Sequence, residues 1–224
     1  FLVLRGESGA GKSTFLHTLS FFREGVKTYS VRGNENVASY FSGVEVQHRG
    51  LQIHVLEERE ALKTYSDREI EDWLHAINGF IRSSRGELAL VVWPCNTDEL
   101  RDRVVALAGR IGGETLLGTS SGVTQFNGPE KSQYVGIAER TLSTLNQGSG
   151  LADLGLTVDD AEKCAQQSDT VGGLMTRLSE LVIARSAAVQ RLVEKEQCRL
   201  WVVVVAGNDP IGDVSGLTRG QLRR

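Results

Sequence analysis

The sequence predicts an α/β fold of three layers, a mostly parallel central sheet with helices on both faces, and three observations carry that prediction. Segments of strand character alternate with segments of helical periodicity through the first half of the chain. Residues 88–93 (LALVVW) and 200–207 (LWVVVVAG) are apolar runs of the kind found in strands buried on both faces, and both are expected to be central. Residues 2–5 read as a short strand that enters a glycine-rich turn and then a helix in which Phe15, Leu16, Leu19 and Phe22 recur at helical spacing.

Each element has its own warrant. The first helix is expected over 12–24, stopped by Gly25, and the second strand over 26–31. Residues 32–43 (RGNENVASYFSG) are polar and bounded by glycine, which predicts a loop. Alternation of Val44 and Val46, then of Leu51, Ile53 and Val55, around a break containing glycine predicts a hairpin. Ser66 and Glu69 stand at capping-box spacing ahead of Ile70, Trp73, Leu74, Ile77 and Phe80, which share one helical face. A helix over 97–110 follows Pro94 and closes at Gly112 and Gly113. Further helices are expected near 131–145, after Thr157, and along the stripe Leu174, Leu178, Leu181, Ala188 and Leu192. No strand is evident in 114–197. The expected division is therefore a core over 1–113, a helical insertion or lid over 114–197, and a returning strand with a tail over 198–224.

Composition narrows the function classes. A chain of 224 residues and 24.4 kDa suits one principal domain. Twenty-five basic against twenty-eight acidic residues leave a net charge of -3, with no overall attraction for nucleic acid, and Arg219, Arg223 and Arg224 read as a solvated tail. Nothing approaches the apolar length that crosses a bilayer. Cys95, Cys164 and Cys198 are odd in number and far apart, which predicts reduced thiols in a cytoplasmic protein. The histidines lack ligand spacing, so metal binding by His17, His48, His54 or His75 is not expected, and Trp73, Trp93 and Trp201 are assigned to packing. Because the chain begins at Phe1 and enters a strand at once, it is expected to be a domain of a longer protein.

The turn after the first strand reads GESGAGKS, in which Gly6, Gly11, Lys12 and Ser13 fit G-x-x-x-x-G-K-[ST]. A polyphosphate needs main-chain N–H groups brought close without Cβ atoms in the way, and Gly6, Gly9 and Gly11 permit that approach. The helix beginning near Lys12 adds its positive end. This stretch resembles the Walker A motif of the P-loop NTPase superfamily, strongly over residues 1–22 and beyond them only through α/β alternation. The resemblance implies a nucleotide site formed by Gly6, Glu7, Ser8, Gly9, Ala10, Gly11, Lys12, Ser13 and Thr14. It implies that Lys12 holds the β and γ phosphates, that the Ser13 hydroxyl binds Mg²⁺, and that Thr14 lies near the α-phosphate.

Hydrolysis also needs a carboxylate near the metal and the attacking water. Glu57 and Glu58 end the strand-like stretch LQIHVL and look like a Walker B pair, Glu57 assisting Mg²⁺ and Glu58 polarising water; a solvated strand end is the alternative. Asn96 and Asp98, beyond the 88–93 strand, suit a helix cap. VVVVAGNDP resembles the sensor strand of AAA+ ATPases, which makes Asn208 the group facing the γ-phosphate or water; a plain Asn-Asp-Pro turn is equally compatible. No N-K-x-D stretch marks a guanine site, so ATP is expected over GTP. The leading expectation is an AAA+-like or STAND-like ATPase acting on attached domains or neighbouring subunits. A small-molecule or nucleotide kinase with lid arginines Arg101, Arg103 and Arg110, and a nucleotide switch without turnover, are the alternatives.

Overall fold

The computed structural model describes residues 1–45, 50–60, 65–118 and 122–195, with side chains up to residue 191. The strands are β1 (Leu2–Arg5), β2 (Val26–Val31), β3 (Leu51–Leu56), β4 (Ala89–Cys95) and β5 (Val123–Gln125). The helices are α1 (Lys12–Phe22), α2 (Val37–Gly43), α3 (Asp67–Ile81), α4 (Asp98–Ile111), α5 (Glu114–Leu117), α6 (Tyr134–Leu145), α7 (Val158–Gln166) and α8 (Val171–Lys195). The strands form one sheet in the order β2-β3-β4-β1-β5, and each neighbouring pair is parallel. Helices cover both faces, giving three layers.

Alternation along the strands divides the core between the two faces. Val3, Leu56, Val91, Trp93 and Cys95 pack with Ile70, Leu74 and Ile77 of α3 and with Leu100 and Val104 of α4. Leu4, Ile53, Val55 and Val92 pack with Leu16 of α1 on the other face. The stripe along α3 is the one its periodicity predicts, and its start carries the capping box between Ser66 and Glu69. Each fully buried side chain in it contributes about 1.5–3 kcal/mol.

β4 runs through Pro94, which lies beyond the last β3–β4 register pair, Val55 opposite Val92. The missing N–H of Pro94 therefore costs that ladder nothing. Past it, the Asn96 amide donates to the Glu60 carbonyl at 2.9 Å, while the Cys95 carbonyl accepts from Gly6 at 3.0 Å. The two strand ends that flank the glycine-rich turn are thus tied to it and to each other.

Several expectations are corrected. Residues 37–43 form α2 rather than a loop, because Asn36 accepts from the Ser39 amide at 2.8 Å and Val37 and Phe41, four apart, are buried together. β3 pairs parallel with β2 and β4 and is not half of a hairpin; Val44 and Glu45 lie in no strand, and residues 46–49 fall outside the described region. β5 adds a short parallel strand to β1 from the stretch, 114–197, in which no strand was evident. Its three residues are too few for alternation to reveal. α1 ends at Phe22, with the Arg23 amide donating to the Leu19 carbonyl. The strand expected at 200–207 lies outside the described residues.

The chain divides into two compact units, residues 1–182 and 183–224. Within the first, α6, α7 and the start of α8 have their own apolar core, which includes Tyr134, Ala138, Leu156, Ala161 and Leu174. Thr157 and Asp160 form a capping box at the start of α7. Of the second unit, residues 183–195 are described, and they continue α8. Among the described residues no helix is long and apolar enough to cross a membrane.

Candidate functional site

The turn between β1 and α1 is shaped by close backbone approaches and by two left-handed residues. Gly6 lies where a Cβ would come 2.5 Å from the Phe126 carbonyl oxygen, so only glycine lets the segment after β5 close on it. Gly9 and Gly11 have φ of 78° and 98°, a region that side chains rarely tolerate. Gly11 is also the residue before α1, and no side chain caps that helix. Its first turn contains no acid. The N-terminal amides of α1 therefore face the cavity with neither a side-chain acceptor nor a local negative charge.

Lys12, 6% exposed, reaches back under the turn. Its Nζ donates to the carbonyls of Gly6 at 2.7 Å and Glu7 at 2.9 Å, and to Asn96 Oδ1 at 2.7 Å. Burial lowers its pKa, and the nearby Glu60 carboxylate opposes that shift. Glu60 is pushed up by burial and by Glu57, against the pull of Lys12.

A cavity of about 820 Å³ opens beside these groups. Residues 8–14 of the turn and first helix, Glu60 and Asn96 line its polar part. Phe15 and Phe126, whose rings are 5.3 Å apart, belong to its apolar lining with Pro129, and α6 and α8 contribute Ile137 and Met175. Gly6 and Glu7 stand next to the cavity without lining it, and Glu7 is held by Arg5 at 3.0 Å. Ser8, Gly9, Ala10, Gly11, Lys12, Ser13 and Thr14 all line it.

The acids at the end of β3 go three ways. Glu57 Oε1 is 2.5 Å from His17 Nε2, one helical turn beyond Ser13. Ser30 approaches that same nitrogen at 3.4 Å, so the three side chains do not make a nucleophile–base–orienter relay, which needs both ring nitrogens. Glu58 has φ of 62°, and its carboxylate accepts from the Gly33 amide at 3.1 Å. Only Glu60 of the three lines the cavity. Asn208 lies outside the described residues.

Two further side chains depart from their expected roles. The N-cap of α4 is Thr97, whose hydroxyl accepts from the Leu100 amide, so neither Asn96 nor Asp98 serves as cap. Asp98 instead pairs with Arg5 and Arg101, both at 2.8 Å. The α4 arginines are engaged too: Arg101 with Asp98 and Asp102, Arg103 with Asp67, and Arg110 with Glu71. None of these arginines lines the cavity.

Sequence reasoning passed over Glu60, Phe126, Pro129 and the lining supplied by α6 and α8. The available signal for Asn96 was its position directly after the most apolar strand. For Glu60 there was none beyond its charge. Among the described residues no group of three His, Cys, Asp or Glu side chains is arranged to hold a metal. Cys95 and Cys164 are free thiols, and burial pushes Cys95 up to about 12. No family model matches the chain, and no curated protein matches it.

Proposed function

We propose that this chain is a P-loop ATPase module that binds ATP with Mg²⁺ and couples its hydrolysis to conformational change in attached domains or subunits. The observation that carries the reading is Lys12, a buried ammonium held by three uncharged acceptors beside a helix N-terminus that no side chain caps, at the wall of a cavity. Such an ammonium gains by exchanging a neutral acceptor for a phosphate oxygen, because the exchange adds the attraction of an opposite charge where burial weakens screening by water. The α1 amides and the left-handed glycines add donors that a Cβ would crowd.

The donor set fits a magnesium–triphosphate. Ser13 would hold the ion, whose contribution when bound is to neutralise charge on the β and γ oxygens. Phe15, Phe126 and Pro129 offer apolar contact for a base, and the absent N-K-x-D stretch favours adenine.

Glu60 takes the proton of the attacking water in this reading. Burial raises its pKa, which makes the carboxylate a stronger base nearer neutral pH. When Lys12 turns toward phosphate, Asn96 Oδ1 is freed to accept from that water, the role the sensor resemblance assigned to Asn208. Glu57 and Glu58 contribute only after leaving His17 and the Gly33 amide.

Calorimetric titration with MgATP, followed by measurement of free phosphate, tests the proposal. Saturable binding and phosphate release are expected. Glu60→Gln should slow release by about a hundredfold, at the lower end of what a positioned proton acceptor supplies. Glu58→Gln should leave it within about twofold, the ordinary effect of an exposed substitution. Absence of binding to every magnesium nucleoside triphosphate would refute the reading, and binding without release would leave a nucleotide switch.

A further inference from the structure

We infer that Gly172, in the first turn of α8, is a positioning residue whose missing side chain sets how closely the helices of residues 134–182 dock on the 6–11 turn, and thereby how fast nucleotide leaves. The docking stands on the geometry alone, and the effect on nucleotide release rests on the ATP reading above.

The contact is made between backbones. The Gly172 N–H donates to the Gly9 carbonyl at 3.0 Å. A Cβ on Gly172 would lie 2.9 Å from Gly9 Cα and 3.2 Å from its carbonyl oxygen, and a Cβ on Gly9 would lie 3.3 Å from Gly172 Cα. Neither neighbour is a side chain that can swing aside, so a methyl group at 172 forces the two segments apart. On another side of the same turn, a Cβ on Gly128 would stand 2.9 Å from the Ala10 carbonyl oxygen. Gly9 and Ala10 are thus approached by backbone from both α8 and the segment after β5.

Helix physics makes the glycine informative. Two glycines near the start of a helix weaken it relative to alanine. Thr170 compensates by capping: its hydroxyl accepts from the Gly173 amide at 3.1 Å and its carbonyl from Leu174 at 3.0 Å. The Gly172 amide is left over from capping, and it is the one that turns to the loop. At Gly173 an added Cβ would meet only Thr170 Oγ1 at 3.3 Å and Ser168 side-chain atoms farther off, so no backbone clash demands glycine there. A nucleotide in the cavity would lie against Val171 and Met175 of α8 and Ile137 of α6. Because α8 forms part of the cavity wall, lifting it off the turn would widen the nucleotide's way out, and that movement breaks the Gly172–Gly9 bond.

Gly172→Ala tests this against Gly136→Ala, a change on α6 where an added Cβ meets nothing within 4 Å. Amide hydrogen exchange is read first, without nucleotide. Gly172→Ala should speed exchange at residue 172 and at Ala10, whose amide donates to the Glu7 carbonyl at 3.1 Å, by at least about tenfold, and Gly136→Ala should change neither. Displacement of a fluorescent ATP analogue by excess ATP should then be at least about tenfold faster in Gly172→Ala alone. Unchanged exchange in Gly172→Ala, or equal acceleration in Gly136→Ala, overturns the docking role. Faster exchange with unchanged displacement overturns control of release. If the parent binds no nucleotide, the ATP reading fails and the exchange measurement still decides the docking. If Gly172→Ala does not fold, the parent decides: amide 172 must be protected, and exchange at the rate of an open chain refutes the contact.

Discussion

Lys12, at the start of α1, and Arg59, just beyond β3, are both buried cations that bond neutral oxygens instead of a carboxylate. Arg59, 1% exposed, donates to the carbonyls of Val31 at 2.8 Å, Glu35 at 2.7 Å, Glu57 at 3.2 Å and Gly33 at 3.3 Å. Its guanidinium stands 5.1 Å from the centre of the Trp73 ring, and its carbonyl accepts from the Trp93 indole at 3.0 Å. Lys12 has three such acceptors and a cavity beside it; Arg59 has four and does not line the cavity. Burial lowers the pKa of both. The difference between them is access: a buried cation can exchange partners only where there is room for a counter-charge, and otherwise it fastens loops together.

The strongest way to break this comparison is to remove each cation in turn. Arg59→Met keeps an apolar stem against Trp73 but leaves buried carbonyls of the 31–35 and 57–60 segments without donors. It should lower stability by about 3–5 kcal/mol, read from the denaturant midpoint. Lys12→Ala leaves its former acceptors next to the cavity, where water replaces it, so stability should change by less than about 1 kcal/mol. Its affinity for MgATP should fall by about a hundredfold, the loss of one charged contact to phosphate. If Lys12→Ala unfolds the chain, or Arg59→Met weakens binding at unchanged stability, the two roles have been assigned the wrong way round.

The same contrast explains what could be read from the residues alone. The turn between β1 and α1 was legible as a shape, because glycines at fixed spacing mark close backbone approach and positive φ. The α3 stripe and its capping box, and the apolar run of β4, were legible for a similar reason, since periodicity and caps are local. Arg59 and Glu60 were not. Both sit in one charged run with Glu57 and Glu58, and only tertiary packing turns Arg59 to the carbonyls, Glu57 to His17, Glu58 to Gly33 and Glu60 to the cavity. Asn96 read as a cap because its neighbour Thr97 is one; the hydrogen bond to Lys12 spans 84 positions and leaves no local trace. β5 was missed because its partner is β1, more than a hundred residues earlier.

His54 sharpens the comparison, as a third buried basic group that resolves its burial by staying neutral. It lies among Tyr29, Tyr40, Phe41 and Phe80, its Nδ1 is 2.9 Å from the Tyr40 hydroxyl, and its Nε2 is buried without a partner. Desolvation lowers its pKa to about 4, against about 6.5 in the unfolded chain. Between those values the unfolded state binds the proton and the folded state does not, so stability rises with pH across this window and falls on acidification. From pH 7 to pH 5 the loss from this one group is about 2 kcal/mol. His54→Phe removes the titrating ring while keeping an apolar one among the same aromatics. Its denaturant midpoint should therefore fall less steeply than the parent's from pH 7 to 5, whatever its stability at pH 7. Parallel pH profiles for the two proteins would mean that the imidazole accepts a proton in the folded core, and that burial there is governed by a partner rather than by exclusion of charge.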